Sequence, residues 1–543
     1  MNSTARSSRR RGVLWTFAVL ATAALTGCVG AEPPSDVSPA PEAQTLTDGG
    51  TFRVGMHADP GPLDPALGMT LGSVLIFEAM CEKLYNADAG GTVFPQLADD
   101  MPVFDEEGTS ATVTLRPDMR FQDGTPVNAD AVIATLDRFQ NGEGSQRATK
   151  LKNVQNIEKV DDLTVVYRFS SPMPEGLFFD IFAHREGILI SPTAFAASGP
   201  ADFGNAPVCA GPFEFASRVA QNSVTLVKDE DYHLADQVHF DEIVYSVIPD
   251  SSVRATNLRA GDLDAITRVS TTDLQGLRDD TSIVVEEYGG VGFDFIEFNI
   301  GNTDGAMAPA GKIDTPWAQS ADVRRALELS IDRAAINDVV YGGAFAPACG
   351  FMPPNSPLAS DAMLECSARD VEEARTLLEK SGYELPVKGT LLFSNLPDFR
   401  RMAEVVQRMA GEAGFELTLM PQDSTAALTA IQDGDFELYL STWTGFVDVD
   451  PTIARFVESS DLSNWGKFSN PDVDRLLAAT GSELDPAERS DRFAELDEVL
   501  RDEMPLVFLT RPGQVVAYSD RVAGLAFRPE GTISPVSAGF LEE

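Results

Sequence analysis

The chain has 543 residues, 41 Lys and Arg against 83 Asp and Glu, and a formal net charge of −42. So acidic a surface argues against nucleic acid, whose binding needs a basic face, and against adhesion to anionic lipid. The length exceeds what one core sustains, and 43% hydrophobic with 8% aromatic residues suits a globular protein of at least two lobes.

The N-terminus reads as an export signal. "MNSTARSSRRRG" is basic, and "VLWTFAVLATAAL" is an apolar run of 13 residues, too short to span a bilayer. "LTGC" follows and resembles a bacterial lipobox, in which Cys28 is lipidated and becomes the first residue of the mature chain. Cleavage there would remove four arginines and no acid. Residues 29–50, rich in Pro, Ala, Ser and Gly, read as a flexible tether. No later stretch approaches the ~18 consecutive apolar residues of a membrane span.

Further along, "GTFRVGM" alternates like an edge strand and "DPGPLDPAL" is a turn-rich loop. "LIFEAMCEKLY" has helical spacing in Ile76, Met80 and Leu84. Asn128 is placed to cap a helix whose buried face carries Val132, Ile133 and Leu136. "LTVVYRFSS", "SVTLVKDEDY" and "FDEIVYSVIP" read as strands, and "DVRRALELSIDRAAINDVVY" as one helix with Val323, Leu327, Ile331 and Ala334 in a stripe.

Residues 391–450 carry the clearest pattern. "LLFS", "FELTLM" and "FELYLS" read as strands. Between them lie a helix with Met402, Val405, Val406, Met409, Ala410 and Ala413 on one face, stopped by Gly414, and a shorter helix stopped by Gly434. This βαβαβ order implies a parallel sheet with right-handed crossovers. Ligands of open α/β sheets bind beyond the carboxyl ends of the strands, and "TWTGFVDVDP" (442–451) lies at such an end. Later, Asp485, Pro486 and Glu488 form a capping pattern before a helix buried through Phe493, Leu496, Val499 and Leu500.

Catalytic motifs are absent from the sequence: no GxSxG, no HExxH, no GxxxxGK[ST]. His57, His184, His233 and His239 have no motif neighbours and read as structural or surface residues. No catalytic residue, cofactor or metal ligand is expected; a secreted hydrolase is the rival class. Beyond Cys28 there are four cysteines, Cys81, Cys209, Cys349 and Cys366, none in a CxxC. In an exported chain they suggest two disulfides, with three connectivities possible.

An ordered set of segments then resembles the family 5 extracellular solute-binding proteins, the oligopeptide- and dipeptide-type receptors of ABC importers. It includes "FRVGMHADPGPLDPAL", "VTLRPDMRFQDGTPVNADAVIATLDRF", "CAGPFEF", "FDEIVYSVIPDSSVRATNLRAGDLDA", "FNIGN", "ADVRRALELSIDRAAIND", "WTGFVDVDP" and "DPAERSDRFAELDEVLRDEMPLVFL". The set runs from about Thr51 to the C-terminus.

The resemblance implies a periplasmic-binding-protein-like α/β fold: two α/β lobes joined by a hinge, plus an inserted third domain. Residues 1–27 would be the signal and 28–49 the tether. Residues 50–85, 207–287 and 509–543 would form domain I, 86–206 domain II and 288–508 domain III. It implies a monomeric receptor, held to the outer face of the bacterial membrane by its lipid. The receptor would trap a small solute, a peptide, by hinge closure between domains I and III, and hand it to ABC permease subunits. Another family 5 solute, an oligosaccharide, opine or metal chelate, is the alternative. Carried onto this chain, Trp443 and Phe446 would wall the pocket. Asp448, or failing that Asp450, would pair with the ligand's ammonium group, and Met69 and Thr70 would be neighbours. Peptide binders often read W-x-x-D-x-x-D-P. This chain has one more residue between Trp443 and Pro451, and Phe446 where an acid is often found. A Cys349–Cys366 bridge would order the Pro/Ser-rich loop between them. Cys81 and Cys209 would then pair by elimination, and the resemblance puts both in or beside domain I.

Overall fold

The computed structural model describes residues 45–543, apart from Met69, Thr149, Gly289, Thr444, Phe446, Val447, Glu530 and Glu543. The expected signal, Cys28 and the expected tether as far as residue 44 lie outside the described residues; the last tether residues are not free chain, since Leu46–Thr47 form a strand paired with Phe540 and Leu541. Among the described residues no helix is long and apolar enough to cross a membrane.

Three larger sheets organise the chain. The first has seven strands, in the order Ile283–Tyr288, Gln514–Ser519, Ala265–Thr267, Thr51–Met56, Glu242–Val247, Ser223–Lys228, Phe213–Val219. Thr51–Met56, expected at an edge, is the central strand, parallel to both neighbours. Its alternation is real only as far as Val54: Val54, Gly55 and Met56 are all buried, because helices cover both faces. On one face Phe52 stacks on Phe240, ring centroids 4.8 Å apart, within a core that includes Ile76 and Phe77 of the helix Leu71–Met80. That helix ends at Met80, short of Leu84, and Cys81 caps it.

The second sheet has five strands, in the order Phe415–Gln422, Val387–Ser394, Leu438–Trp443, Phe293–Phe298, Leu506–Phe508. Its first three strands are mutually parallel and are the expected βαβαβ unit. The helix Pro397–Ala413 buries Met402, Val405, Val406, Met409, Ala410 and Ala413, and Gly414 ends it at φ +112°. "DVRRALELSIDRAAINDVVY" forms two helices, Ala321–Ser330 and Arg333–Tyr341. The break has a local cause: Asp332 leaves the helical conformation and its carboxylate accepts from the Ala335 amide, capping the second helix.

The third sheet is antiparallel, in the order Val103–Phe104, Ser110–Thr114, Thr164–Phe169, Val154–Lys159. Asn128 caps the helix Ala129–Asn141 beside it, as its sequence suggests. Phe178, from the helix Glu175–Phe182, fills its core against Phe104, Tyr167 and Phe169. The disulfides are Cys81–Cys209 and Cys349–Cys366, with Cα atoms 5.4 and 4.6 Å apart.

Between the seven- and five-stranded sheets the chain passes from strand to strand twice, after Tyr288 and after Arg511. The two passages touch, Gly290 lying against the Pro512 carbonyl. Buried Arg511 ties them together, donating to the Gly292 carbonyl at 3.1 Å and the Gly350 carbonyl at 2.6 Å. Burial without a counter-charge lowers its pKa to about 10.

Candidate functional site

The carboxyl ends of the parallel strands in the two sheets meet. The strand Val387–Ser394 leads into the helix Pro397–Ala413, and Arg401 on that helix donates to the Thr271 hydroxyl at 3.0 Å. Thr271 opens the helix that follows the strand Ala265–Thr267 of the other sheet. Phe345, from the five-stranded side, packs against the core of Leu274, Leu277 and Val515 on the seven-stranded side.

On the five-stranded side, Trp443 ends its strand opposite Phe293 and is half-buried. The Arg455 guanidinium lies over its ring, 3.6 Å from the centroid, an attraction of about 1 kcal/mol. Gly445 turns the loop back at φ +73°. A side chain there would meet the carbonyl carbon of Val291 at 2.7 Å, so the loop after Trp443 rests on one of the passages between the sheets. Phe446 lies outside the described residues, as does Met69.

Asp448 and Asp450 do not present free carboxylates. Asp448 is 5% exposed, and Arg489 grips it with two bonds, Nη1 to Oδ2 at 2.6 Å and Nη2 to Oδ1 at 3.0 Å. Its Oδ1 also accepts from the Asp450 amide at 3.0 Å. Asp450 is 7% exposed and sits 3.4 Å from the same guanidinium. Burial, with the Asp448 charge next, raises its pKa to about 7. Helix Glu175–Phe182 closes over the pair: a methyl group at Gly176 would lie 2.7 Å from Asp448 Oδ2. The two carboxylates thus join the five-stranded side to the antiparallel domain. "VDVDP" is acidic on paper, yet its carboxylates are buried and paired, because Arg489 arrives from a helix about forty residues later.

On the seven-stranded side the charge is reversed. A small open cavity at the carboxyl ends of Thr51–Met56 and Ala265–Thr267 is lined by His57, Leu71, Gly72, Arg268 and Thr532. Thr70, exposed and expected near a ligand, caps the helix Leu71–Met80 at its rim. Burial, then the charges of Arg268 and Arg254, lower the His57 pKa to about 4, so the ring is neutral. His57 is thus half-buried in a cleft wall, as a structural residue would be, yet borders the cavity. Sequence reasoning missed Arg268. It stands between the three-residue strand Ala265–Thr267 and the helix cap Ser270, and the one local signal was that strand–loop–helix context.

Residues 92–464 match the model of the bacterial extracellular solute-binding proteins, family 5. The chain belongs to that family. Over 480 residues it is 26% identical to the glutathione-binding protein GsiB of Shigella flexneri, covering 86% of this chain and 90% of that protein. Among solved structures, the ABC transporter substrate-binding protein CtaP of Listeria monocytogenes superposes with a TM-score of 0.80 at 22% identity, over 92% of this chain and all of that one. The dipeptide-binding protein of Pseudoalteromonas sp. SM9913, in complex with Met-Leu, gives 0.75 at 21% identity, over 90% of this chain and all of that one. These likenesses establish a periplasmic-binding-protein fold, and the family establishes a solute-binding protein.

Proposed function

We propose that this solute-binding protein is the lipid-anchored receptor of an ABC importer and that it takes up a peptide or peptide-like solute. The observation that carries the reading is the junction between the two sheets: two adjoining passages, with strand carboxyl ends facing each other on one side. A junction so narrow lets two lobes rotate about it, and rotation would open or close the space between those ends. The lobes would be residues 50–85, 207–287 and 509–543 on one side and 288–508 on the other, with 86–206 as the inserted domain. The glutathione- and dipeptide-binding relatives support a short peptide-like ligand. In this reading Trp443 walls the cleft, while Asp448 and Asp450 act through Arg489, holding the loop rather than touching the solute. Thr70 lies on the opposite rim.

The test is a thermal-shift and calorimetric screen with glutathione, Met-Leu, longer peptides, opines and oligosaccharides. A solute at 100 times its Kd should stabilise the folded chain by roughly 2.7 kcal/mol, and should be recovered chemically unchanged. Hydrolysis of the bound solute, or binding of sugars alone, would sink the peptide reading. Anchoring through Cys28 is tested separately: Cys28→Ser should move the protein from the membrane fraction to the soluble one.

A further inference from the structure

Arg268 stands out in a chain carrying twice as many acids as bases. Most of its buried arginines are spoken for: Arg138 pairs with Asp64, Arg147 with Glu186, Arg333 with Glu328, Arg489 with Asp448. Among the described residues no carboxylate lies within ion-pair distance of Arg268. Its guanidinium meets the His57 ring, with Nε2 3.5 Å from Nη1. His57 is kept neutral there and supplies no charge. The Arg268 guanidinium is solvent-accessible yet walled by protein, and desolvation alone disfavours its charge.

The surroundings hold Arg268 in place without neutralising it. Its backbone is in the left-handed region, at φ +53°, a conformation that non-glycine residues adopt rarely and that concentrates at functional sites. Arg254, 2% exposed, donates to the Arg268 carbonyl at 2.9 Å and to the Ile248 and Pro249 carbonyls. Arg254 is therefore a brace that adds a second positive charge behind the first. The cavity wall offers two further donors. Thr532 is 1% exposed, and its hydroxyl has no hydrogen-bond partner among the described residues. Leu71 and Gly72 belong to the first turn of a ten-residue helix, whose amides have no acceptor within the helix. An accessible guanidinium, an unpaired buried hydroxyl and a helix N-terminus converge on one cavity.

We infer that this cavity is a carboxylate subsite: Arg268 receives a carboxylate of the bound solute, and the Thr532 hydroxyl and the first turn of Leu71–Met80 receive its remaining lone pairs. The subsite deepens the receptor reading and rests on it. A planar guanidinium suits a carboxylate because it can donate two parallel bonds. The overall negative charge does not defeat the pairing, since exposed charges beyond about 8 Å are screened at physiological salt while a contact inside a cleft is not. Together with Asp448 and Asp450, which are buried and turned toward Arg489, the subsite makes the site select for an acid group rather than an ammonium group.

The experiment uses matched probes on the full chain: Met-Leu and its C-terminal amide, glutathione and its glycine amide, and agropinic acid as a carboxylate that is not a peptide. Calorimetry should give the acid at least 30-fold tighter binding than the amide. Arg268→Gln should weaken the acid about 100-fold and erase the acid–amide difference, Arg268→Lys should restore part of it, and Thr532→Val should weaken it several-fold. The unliganded melting temperature should stay close to that of the wild type, because the Arg268 side chain makes only a long contact with His57 among the described residues. Equal binding of acid and amide, with Arg268→Gln silent, overturns the subsite and leaves the peptide reading standing. Arg268-dependent binding of agropinic acid with no peptide bound keeps the subsite and overturns the peptide reading. If no probe binds the wild type, both fall.

Discussion

The two sides on which the strand carboxyl ends meet handle charge in opposite ways. On the five-stranded side two aspartates in an acidic loop are buried, and one arginine from a later helix pairs with both. On the seven-stranded side an arginine is held accessible, and among the described residues no carboxylate pairs with it. The chain's composition would suggest the reverse, negative charge offered and positive charge consumed. Net charge describes the solvated surface, whereas a cleft offers only what its own neighbours leave unpaired.

The comparison breaks most sharply at Arg489. Arg489→Met strands Asp448 and Asp450 without a counter-ion, and should destabilise folding by about 3–5 kcal/mol in denaturant titration, as breaking a buried pair from one side does. Asp448→Asn should also act on stability first. If it leaves stability unchanged and abolishes binding of Met-Leu or glutathione, the carboxylate faces solute and the inward assignment is wrong.

Next in size is Trp443→Ala, which removes the proposed wall of the solute site and the platform for Arg455. Loss of probe affinity by roughly tenfold to a hundredfold is expected, that is about 1.4–2.7 kcal/mol, with Trp443→Phe retaining most of it. Unchanged calorimetric affinity in the alanine variant would move the wall elsewhere.

Asp450 gives a pH test. Its folded pKa is raised from 3.8 to about 7, so folding disfavours its ionised form. That penalty is absent below pH ~4, grows as pH rises through the interval, and is complete above about 7. Asp450→Asn should therefore melt near the wild-type temperature at pH 4 and above it at pH 8. A stabilisation that shrinks with rising pH would contradict the burial of Asp450 as an acid held against its charge.

The smallest effect belongs to the contact across the cleft. Arg401→Met removes the bond to Thr271, a contribution of about 1 kcal/mol to the arrangement in which the strand ends meet. Small-angle scattering of the unliganded variant should show a slightly larger radius of gyration, and added probe should return it to the wild-type value.

Much of the fold was legible because its signals are local. The βαβαβ unit shows itself through apolar spacing and two glycine stops, and Asn128 and Asp485 each mark a helix start within three residues of the amides they cap. Where local signals compete, the sequence misleads: Asp332 sits in a helical stripe, and its capping chemistry divides one expected helix into two. The central position of Thr51–Met56 was hidden, since its neighbours Glu242–Val247 and Ala265–Thr267 lie some two hundred residues away.

By itself the sequence determined the family, the alternation of strands and helices, and the place of the Trp443 loop at a strand end, all of which depend on spacing along the chain. The tertiary structure alone decided which charges remain available. Arg489 reaches Asp448 across 41 residues, and among the described residues no carboxylate reaches Arg268. Electrostatic partnership depends on distance in space and on exclusion of water, and neither can be read from separation along the chain.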